Sequence, residues 1–124
     1  MIRNFLLIGL GGALGSMLRY GGSLLIGARP FPLAILLINI MGSFIIGLVM
    51  GASIKYTVFP ADWKLFLATG ICGGFTTFSA FSLDNLQLLE NGKPWFFAIN
   101  VAASVLLGIA AVWLGYKSIN LVTS

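Results

Sequence analysis

Long uncharged runs of apolar residues alternate with short polar segments along the chain. Residues 30–54, 65–83 and 94–116 carry no charge over 25, 19 and 23 residues. A helix needs about 20 apolar residues to cross the hydrocarbon core of a bilayer, so each run is long enough to span it. A fourth run follows Arg3, and only Arg19 interrupts it. The pattern predicts four transmembrane helices, over residues 3–27, 33–54, 64–90 and 95–117.

Composition supports a membrane protein and excludes most enzymes. Of the 124 residues 59% are hydrophobic and 8% are charged, whereas soluble domains carry about 25% charged residues. Histidine is absent and Cys72 is the only cysteine, which excludes an intrachain disulfide, histidine-based catalysis and a Cys/His metal cluster. We therefore expect one all-α membrane domain over residues 1–124 that is not an enzyme. The basic residues are scattered, which favours topology anchoring over nucleic-acid binding.

The charge distribution gives only a weak signal for orientation. With four spans, both termini and the middle loop share one side of the membrane. That side carries four basic residues, namely Arg3, Lys55, Lys64 and Lys117. The other side carries Arg29 and Lys93, and also Arg19 if that residue lies near the same surface. So small a bias is compatible with insertion in both orientations, and an orientation with the N-terminus inside remains open. Four helices are also too few to enclose a water-filled path, so transport would require an oligomer.

Small residues recur at four-residue spacing and predict close helix packing. Gly11 and Gly15 form one such pair, and two longer stripes are Asn39-Ser43-Gly47-Gly51 and Asn100-Ser104-Gly108. Asn39 and Asn100 differ from the glycines, because a carboxamide in hydrocarbon needs hydrogen-bond partners. Each asparagine either joins neighbouring helices or lines a polar path.

The third predicted span contains residues that interrupt a helix. Gly73-Gly74 is followed by Phe75 and by the β-branched pair Thr76-Thr77, which is poor helix-forming material. We predict a break between residues 73 and 77. Backbone groups freed by a break survive in a membrane only when they are buried in protein or face water or an ion. Freed carbonyls suit cations and freed amides suit anions, so this is the best candidate site.

Aromatic and hydroxyl side chains follow the predicted break. Phe78 and Phe81 share a helix face with Ser82, and the positive edge of an aromatic ring is a weak, nearly dehydrated site for an anion. Asp84 is the only acid deep in a span, and its cost in hydrocarbon predicts a position near the surface or beside a vestibule. Arg19 is the corresponding cation of the first span.

Three segments together closely resemble the CrcB/Fluc fluoride-channel family over essentially the whole chain. They are Gly73-Gly74-Phe75-Thr76-Thr77-Phe78-Ser79-Ala80-Phe81-Ser82, Gly15-Ser16-Met17-Leu18-Arg19-Tyr20 and Asn39-Ile40-Met41-Gly42-Ser43-Phe44. The resemblance implies a dual-topology homodimer, with two copies inserted antiparallel, two fluoride pores and a structural sodium ion at the dimer centre.

The resemblance also implies roles for individual residues. The backbone carbonyls of Gly73 and Thr76 would hold Na⁺, and Phe78 and Phe81 would present ring edges to fluoride. Further implied residues are the pore amide of Asn39, the hydroxyl groups of Ser79, Ser104 and Thr77, and the arginine and acid positions Arg19 and Asp84. The chain departs from the usual family pattern at Ala80, where threonine is common, and at Asp84, where glutamate is common.

Three functions remain open at this point. The first is passive, fluoride-specific export across the plasma membrane, the inner membrane of a bacterium, which would lower cytoplasmic fluoride toxicity. The second is a proton-coupled transporter of the small multidrug type, although the membrane carboxylate that this class needs in its first helix is missing here. The third is a non-transporting membrane assembly subunit.

Overall fold

The residues that the structure describes form six α-helices and one π-helical segment. The computed structural model describes residues 1–56 and 58–123, with side chains as far as residue 119. The elements in chain order are α1 (Ile2–Ile26), α2 (Leu33–Lys55), α3 (Ala61–Lys64), the π-helical segment (Leu65–Cys72), α4 (Gly73–Phe75), α5 (Phe78–Glu90) and α6 (Pro94–Thr123). The all-α expectation is confirmed.

Within the described part of the chain, three helical units are long and apolar enough to cross a membrane: Leu33–Lys55, Ala61–Glu90 and Pro94–Ile119. The middle unit contains α3, the π-helical segment, α4 and α5 in succession. Helix α1 has a comparable length of 25 residues, but its glycines and Arg19 dilute its apolar character. The chain is thus a multi-pass membrane protein, and its fourth span remains a prediction.

Glycine and proline set the tight connections between helices. Gly27 follows α1 with a φ of 77°, and Gly92 lies between α5 and α6 with a φ of 70°. Residues other than glycine rarely adopt such backbone angles, so both turns depend on glycine. Pro94 then begins α6, where a missing backbone N–H costs nothing.

Backbone-to-backbone packing joins α2 to α6. A Cβ atom at Gly51 would lie 2.9 Å from the Tyr116 carbonyl oxygen, and one at Gly47 would collide with the Val112 carbonyl. On the opposite helix, a Cβ at Gly115 would collide with the Phe44 carbonyl. The part of the α2 stripe that contains Gly47 and Gly51 is therefore a packing surface, as the small-residue spacing predicts.

Helix α1 packs in the same way against the π-helical segment and α4. A Cβ at Gly11 would lie 2.6 Å from the Phe66 carbonyl oxygen, and one at Gly15 would lie 2.7 Å from the Phe75 amide nitrogen. Gly74 in turn lies against the backbone of Gly12. The π-helical geometry is not predicted from the sequence, since neither residue spacing nor composition distinguishes a π-helix from an α-helix in this run.

Candidate functional site

The third span is interrupted at Thr76 and Thr77. Both threonines have extended backbones, with φ and ψ of −82° and 155° at Thr76 and −153° and 125° at Thr77. The break lies within the predicted window of residues 73 to 77, but Gly73 and Gly74 remain helical. The threonines break the helix because β-branched residues favour extended backbone, whereas Gly74 allows close packing against α1.

Asn39 on α2 forms two hydrogen bonds with the backbone of the break. Its Nδ2 donates to the Thr77 carbonyl oxygen at 3.1 Å, and its Oδ1 accepts from the Thr77 amide nitrogen at 2.9 Å. One carboxamide therefore satisfies both polar groups of a residue that has left the helix. Asn39 therefore links two helices and also lines a cavity, so both alternatives for this residue remain compatible with the structure.

The side chain of Thr77 begins the next helix. Its Oγ1 accepts a hydrogen bond from the Ala80 amide nitrogen at 3.1 Å, which is the usual role of an N-cap residue. The Ser79 hydroxyl lies 3.1 Å from the same oxygen. Thr77 therefore restarts the helix directly after the break.

These side-chain contacts leave two backbone carbonyls without their helical partners. In a continuous helix the Gly73 carbonyl would accept from the Thr77 amide, and the Thr76 carbonyl from the Ala80 amide. Asn39 and the Thr77 hydroxyl take those two amides instead. Within the part of the chain that the structure describes, neither carbonyl oxygen accepts another hydrogen bond. The break therefore leaves these two oxygens without hydrogen-bond partners among the described residues, and they are the oxygens that the resemblance implies as sodium ligands.

Two further contacts stabilise the residues around the break. Arg19 on α1 donates from Nε to the Gly74 carbonyl oxygen at 3.3 Å. The Thr76 hydroxyl donates to the Cys72 carbonyl oxygen at 2.8 Å, and the Thr76 amide nitrogen donates to the same oxygen at 2.9 Å. Arg19 thus binds the backbone beside the break.

One cavity of about 430 Å³ brings most of the sequence-predicted site residues together. The predicted residues that line it are Asn39, Gly73, Thr76, Thr77, Phe78, Phe81 and Ser104. Ser43 and Cys72 also contribute to its wall, and none of its described lining residues is charged. Arg19, Ser79 and Asp84 lie outside this wall.

The two phenylalanine rings form an adjacent pair on α5. Their centroids are 5.7 Å apart and their planes are inclined by 45°. The Phe78 side chain is 79% exposed in the single chain. Phe78 therefore contributes little to the packing of one subunit, although its ring forms part of the cavity wall.

Asp84 lines a second cavity, of about 340 Å³, at the end of α5 that leads into the turn before α6. Arg29 and Lys93 line the same cavity, which we call the outer cavity. That this acid lies near the membrane surface or beside a vestibule remains a prediction.

A buried pair of asparagines is a feature that sequence reasoning identified only in part. Asn100 donates from Nδ2 to Oδ1 of Asn85 at 2.8 Å, and both residues are buried. Asn85 lies seven residues before Gly92 and Asn100 eight residues after it. Similar distances from a tight turn place residues opposite each other in a helical hairpin, and this spacing could have predicted the pair.

The fold and this site define a small, all-helical, multi-pass membrane protein with a polar helix break and an uncharged cavity. Comparison with known families identifies the class more closely. The model of the family described as "CrcB-like protein, Camphor Resistance (CrcB)" matches residues 6–116. The chain belongs to the CrcB family.

Curated relatives match the chain over nearly its full length. A protein of Azobacteroides pseudotrichonymphae is 41% identical over 119 residues, which cover 94% of this chain and 95% of the relative. One from Chlorobium phaeobacteroides is 43% identical, covering 92% and 90%. One from Thermus thermophilus is 42% identical, covering 94% of each. All three relatives carry the name "Fluoride-specific ion channel FluC".

Proposed function

We propose that this chain is a fluoride-specific ion channel that exports fluoride passively across the plasma membrane, the inner membrane of a bacterium, and so lowers its toxicity. The observation that carries this proposal is the uncharged cavity at the helix break, lined by amide, hydroxyl and aromatic groups. The names of the full-length relatives support the same function.

The chemistry of the cavity suits a small, strongly hydrated anion. Fluoride must exchange its water for compact hydrogen-bond donors, and the hydroxyls of Thr77 and Ser104 are suitable groups in the cavity wall. The edges of Phe78 and Phe81 add weak positive potential. Conduction requires sites from which the ion can leave, and a lysine or arginine in this wall would hold fluoride too strongly. The pore residues we propose are Phe78, Phe81, Asn39, Ser79, Ser104 and Thr77, with Arg19 and Asp84 beside the path.

The functional unit we propose is a homodimer of two copies inserted antiparallel. A single chain leaves Phe78 79% exposed, and four spans do not enclose a path. The near balance of basic residues between the two sides allows both orientations. A second copy over the open cavity would complete its wall. In this arrangement α1 is the fourth membrane span.

A sodium ion at the dimer centre is consistent with the backbone at the break. The carbonyl oxygens of Gly73 and Thr76 lack partners among the described residues, and neutral oxygen ligands suit a hard cation of low charge. Two such oxygens from each subunit would surround one Na⁺. The ion would link the two broken helices and offset the unsatisfied carbonyl charge there.

Ion-selective flux tests this function. The purified protein is reconstituted into liposomes loaded with equal concentrations of fluoride and chloride, and the efflux of each ion is followed by an ion-selective electrode. We expect fluoride to leave much faster than chloride. Equal efflux of the two ions, or no efflux of fluoride, would contradict the proposal.

A second measurement tests the dimer and the sodium site. The oligomeric state in detergent is compared in sodium and in the large organic cation N-methylglucamine, which cannot fit between carbonyl oxygens. We expect a dimer that loses stability when sodium is removed. A monomer in sodium would contradict the dimer, and a dimer with identical stability in both cations would contradict the sodium site.

A further inference from the structure

A second polar cluster lies on the seam between α5 and α6. Asn100 is 1% exposed, and its Nδ2 points to Asn85 while its Oδ1 has no hydrogen-bond partner among the described residues. The hydroxyl oxygen of Ser104, one helical turn further along α6, is likewise buried and unpartnered within the described part of the chain. Burying two polar atoms without partners destabilises the fold, so we expect water or an ion to satisfy them at this seam.

The cluster lies between the two cavities. We call the cavity at the helix break the inner cavity. On α5, Asn85 is one turn from Phe81, which lines this inner cavity, and one turn from Leu88, which lines the outer cavity that also contains Asp84. Asn100 of α6 lies in sequence between Lys93, which precedes the helix and lines the outer cavity, and Ser104, which lines the inner cavity. An ion that moves along the α5–α6 seam from one cavity to the other must therefore pass the two asparagines.

The orientation of the Asn100 amide decides whether the group that faces this seam attracts or repels an anion. In the structure its nitrogen is held by Asn85, and the unpartnered atom is an oxygen, which repels an anion. Rotation of the Asn100 carboxamide exchanges its nitrogen and oxygen, so that N–H groups take the position of the unpartnered oxygen. Together with the Ser104 hydroxyl, these groups would replace part of the water around a small anion.

We propose that Asn85 is a positioning residue that keeps the Asn100 amide turned away from the anion path, so that the pair acts as a latch between the two cavities. This inference rests on the proposed function and extends it to a step outside the phenylalanine pair. The latch opens when a passing fluoride ion competes with Asn85 for the Asn100 amide. Asn85 thereby sets the fluoride concentration at which passage becomes fast.

Two substitutions of Asn85 test the latch, because they should move the flux in opposite directions. Asn85→Leu removes the competing acceptor, so the fluoride concentration for half-maximal efflux should fall several-fold. Asn85→Asp keeps the shape and holds the Asn100 amide by a stronger, charge-assisted hydrogen bond, so efflux should slow by about tenfold. Efflux is measured from liposomes over a range of fluoride concentrations and is normalised to folded protein.

The same two substitutions at Asn4, an exposed asparagine of α1, are the matched control and should leave efflux unchanged. Efflux per folded protein that equals the wild-type value in both Asn85 variants would overturn the latch and leave only a packing contact. If Asn85→Leu fails to fold, the isosteric Asn85→Asp decides alone, and unchanged efflux in it overturns the proposal. A wild-type protein that does not release fluoride would contradict the proposed channel function instead.

Discussion

The two halves of the third span are held in opposite ways. The first half, residues 61–75, packs backbone to backbone against α1, with Gly15 and Gly74 at the closest approaches. The second half, α5, is held by side-chain hydrogen bonds, from Asn39 at the break and between Asn85 and Asn100 further along. The difference gives the two halves different roles: the first half carries the close backbone contacts with α1 and contributes Cys72 and Gly73 to the wall of the cavity at the break, whereas α5 contributes side chains to that cavity and to the second one.

The largest effect on stability is expected at the contact between α1 and the first half of the third span. Gly15→Ala places a methyl group against the Ile71 carbonyl and the Phe75 amide, which are backbone atoms that cannot rotate away. We expect a loss of about 3 kcal/mol or more, enough to reduce the yield of folded protein. Thermal unfolding in detergent, followed by circular dichroism, measures the effect. Gly9→Ala, in the same helix and with open space at its Cβ, is the control and should melt like wild type.

A smaller loss is expected where side chains hold the break. Asn39→Leu removes both hydrogen bonds to Thr77 and leaves its backbone polar groups unsatisfied, at a cost of about 2–3 kcal/mol. Asn39→Asp in its neutral form keeps an acceptor for the Thr77 amide and offers an O–H donor to the Thr77 carbonyl, so it should lose less. Unfolding free energies of the two variants measure the difference. A leucine variant as stable as the aspartate variant would show that Asn39 does not support the break.

Loss of the helix cap should have a still smaller effect. Thr77→Ala removes the hydroxyl that accepts from the Ala80 amide, and caps of this kind contribute about 1 kcal/mol. Amide hydrogen exchange should therefore become faster in the first turn of α5 and stay unchanged in α1. Thr77→Ser retains the hydroxyl and should restore protection. Equal protection in all three proteins would mean that the cap is not needed.

The sequence predicts the fold better than it predicts the contacts. Long uncharged runs identify three helical units closely, because the bilayer imposes length and apolarity on every span. The break is also predicted, because Thr76 and Thr77 are unfavourable in a helix. The π-helical segment has no sequence signature, and the bond between Asn39 and Thr77 joins residues 38 positions apart. Such pairings depend on tertiary packing, which single-residue preferences do not encode.

If α5 lines the fluoride path while the first half of the third span maintains the fold, a change in α5 should lower fluoride flux without lowering stability. Phe78→Ile is the substitution to measure, because this residue is 79% exposed in the single chain and should contribute little to stability. Fluoride efflux from liposomes and thermal unfolding are measured on the same preparation, with Phe5→Ile on α1 as the control. We expect Phe78→Ile to unfold like wild type and to lose at least about tenfold in fluoride efflux. Unchanged efflux from a folded Phe78→Ile protein would contradict the account.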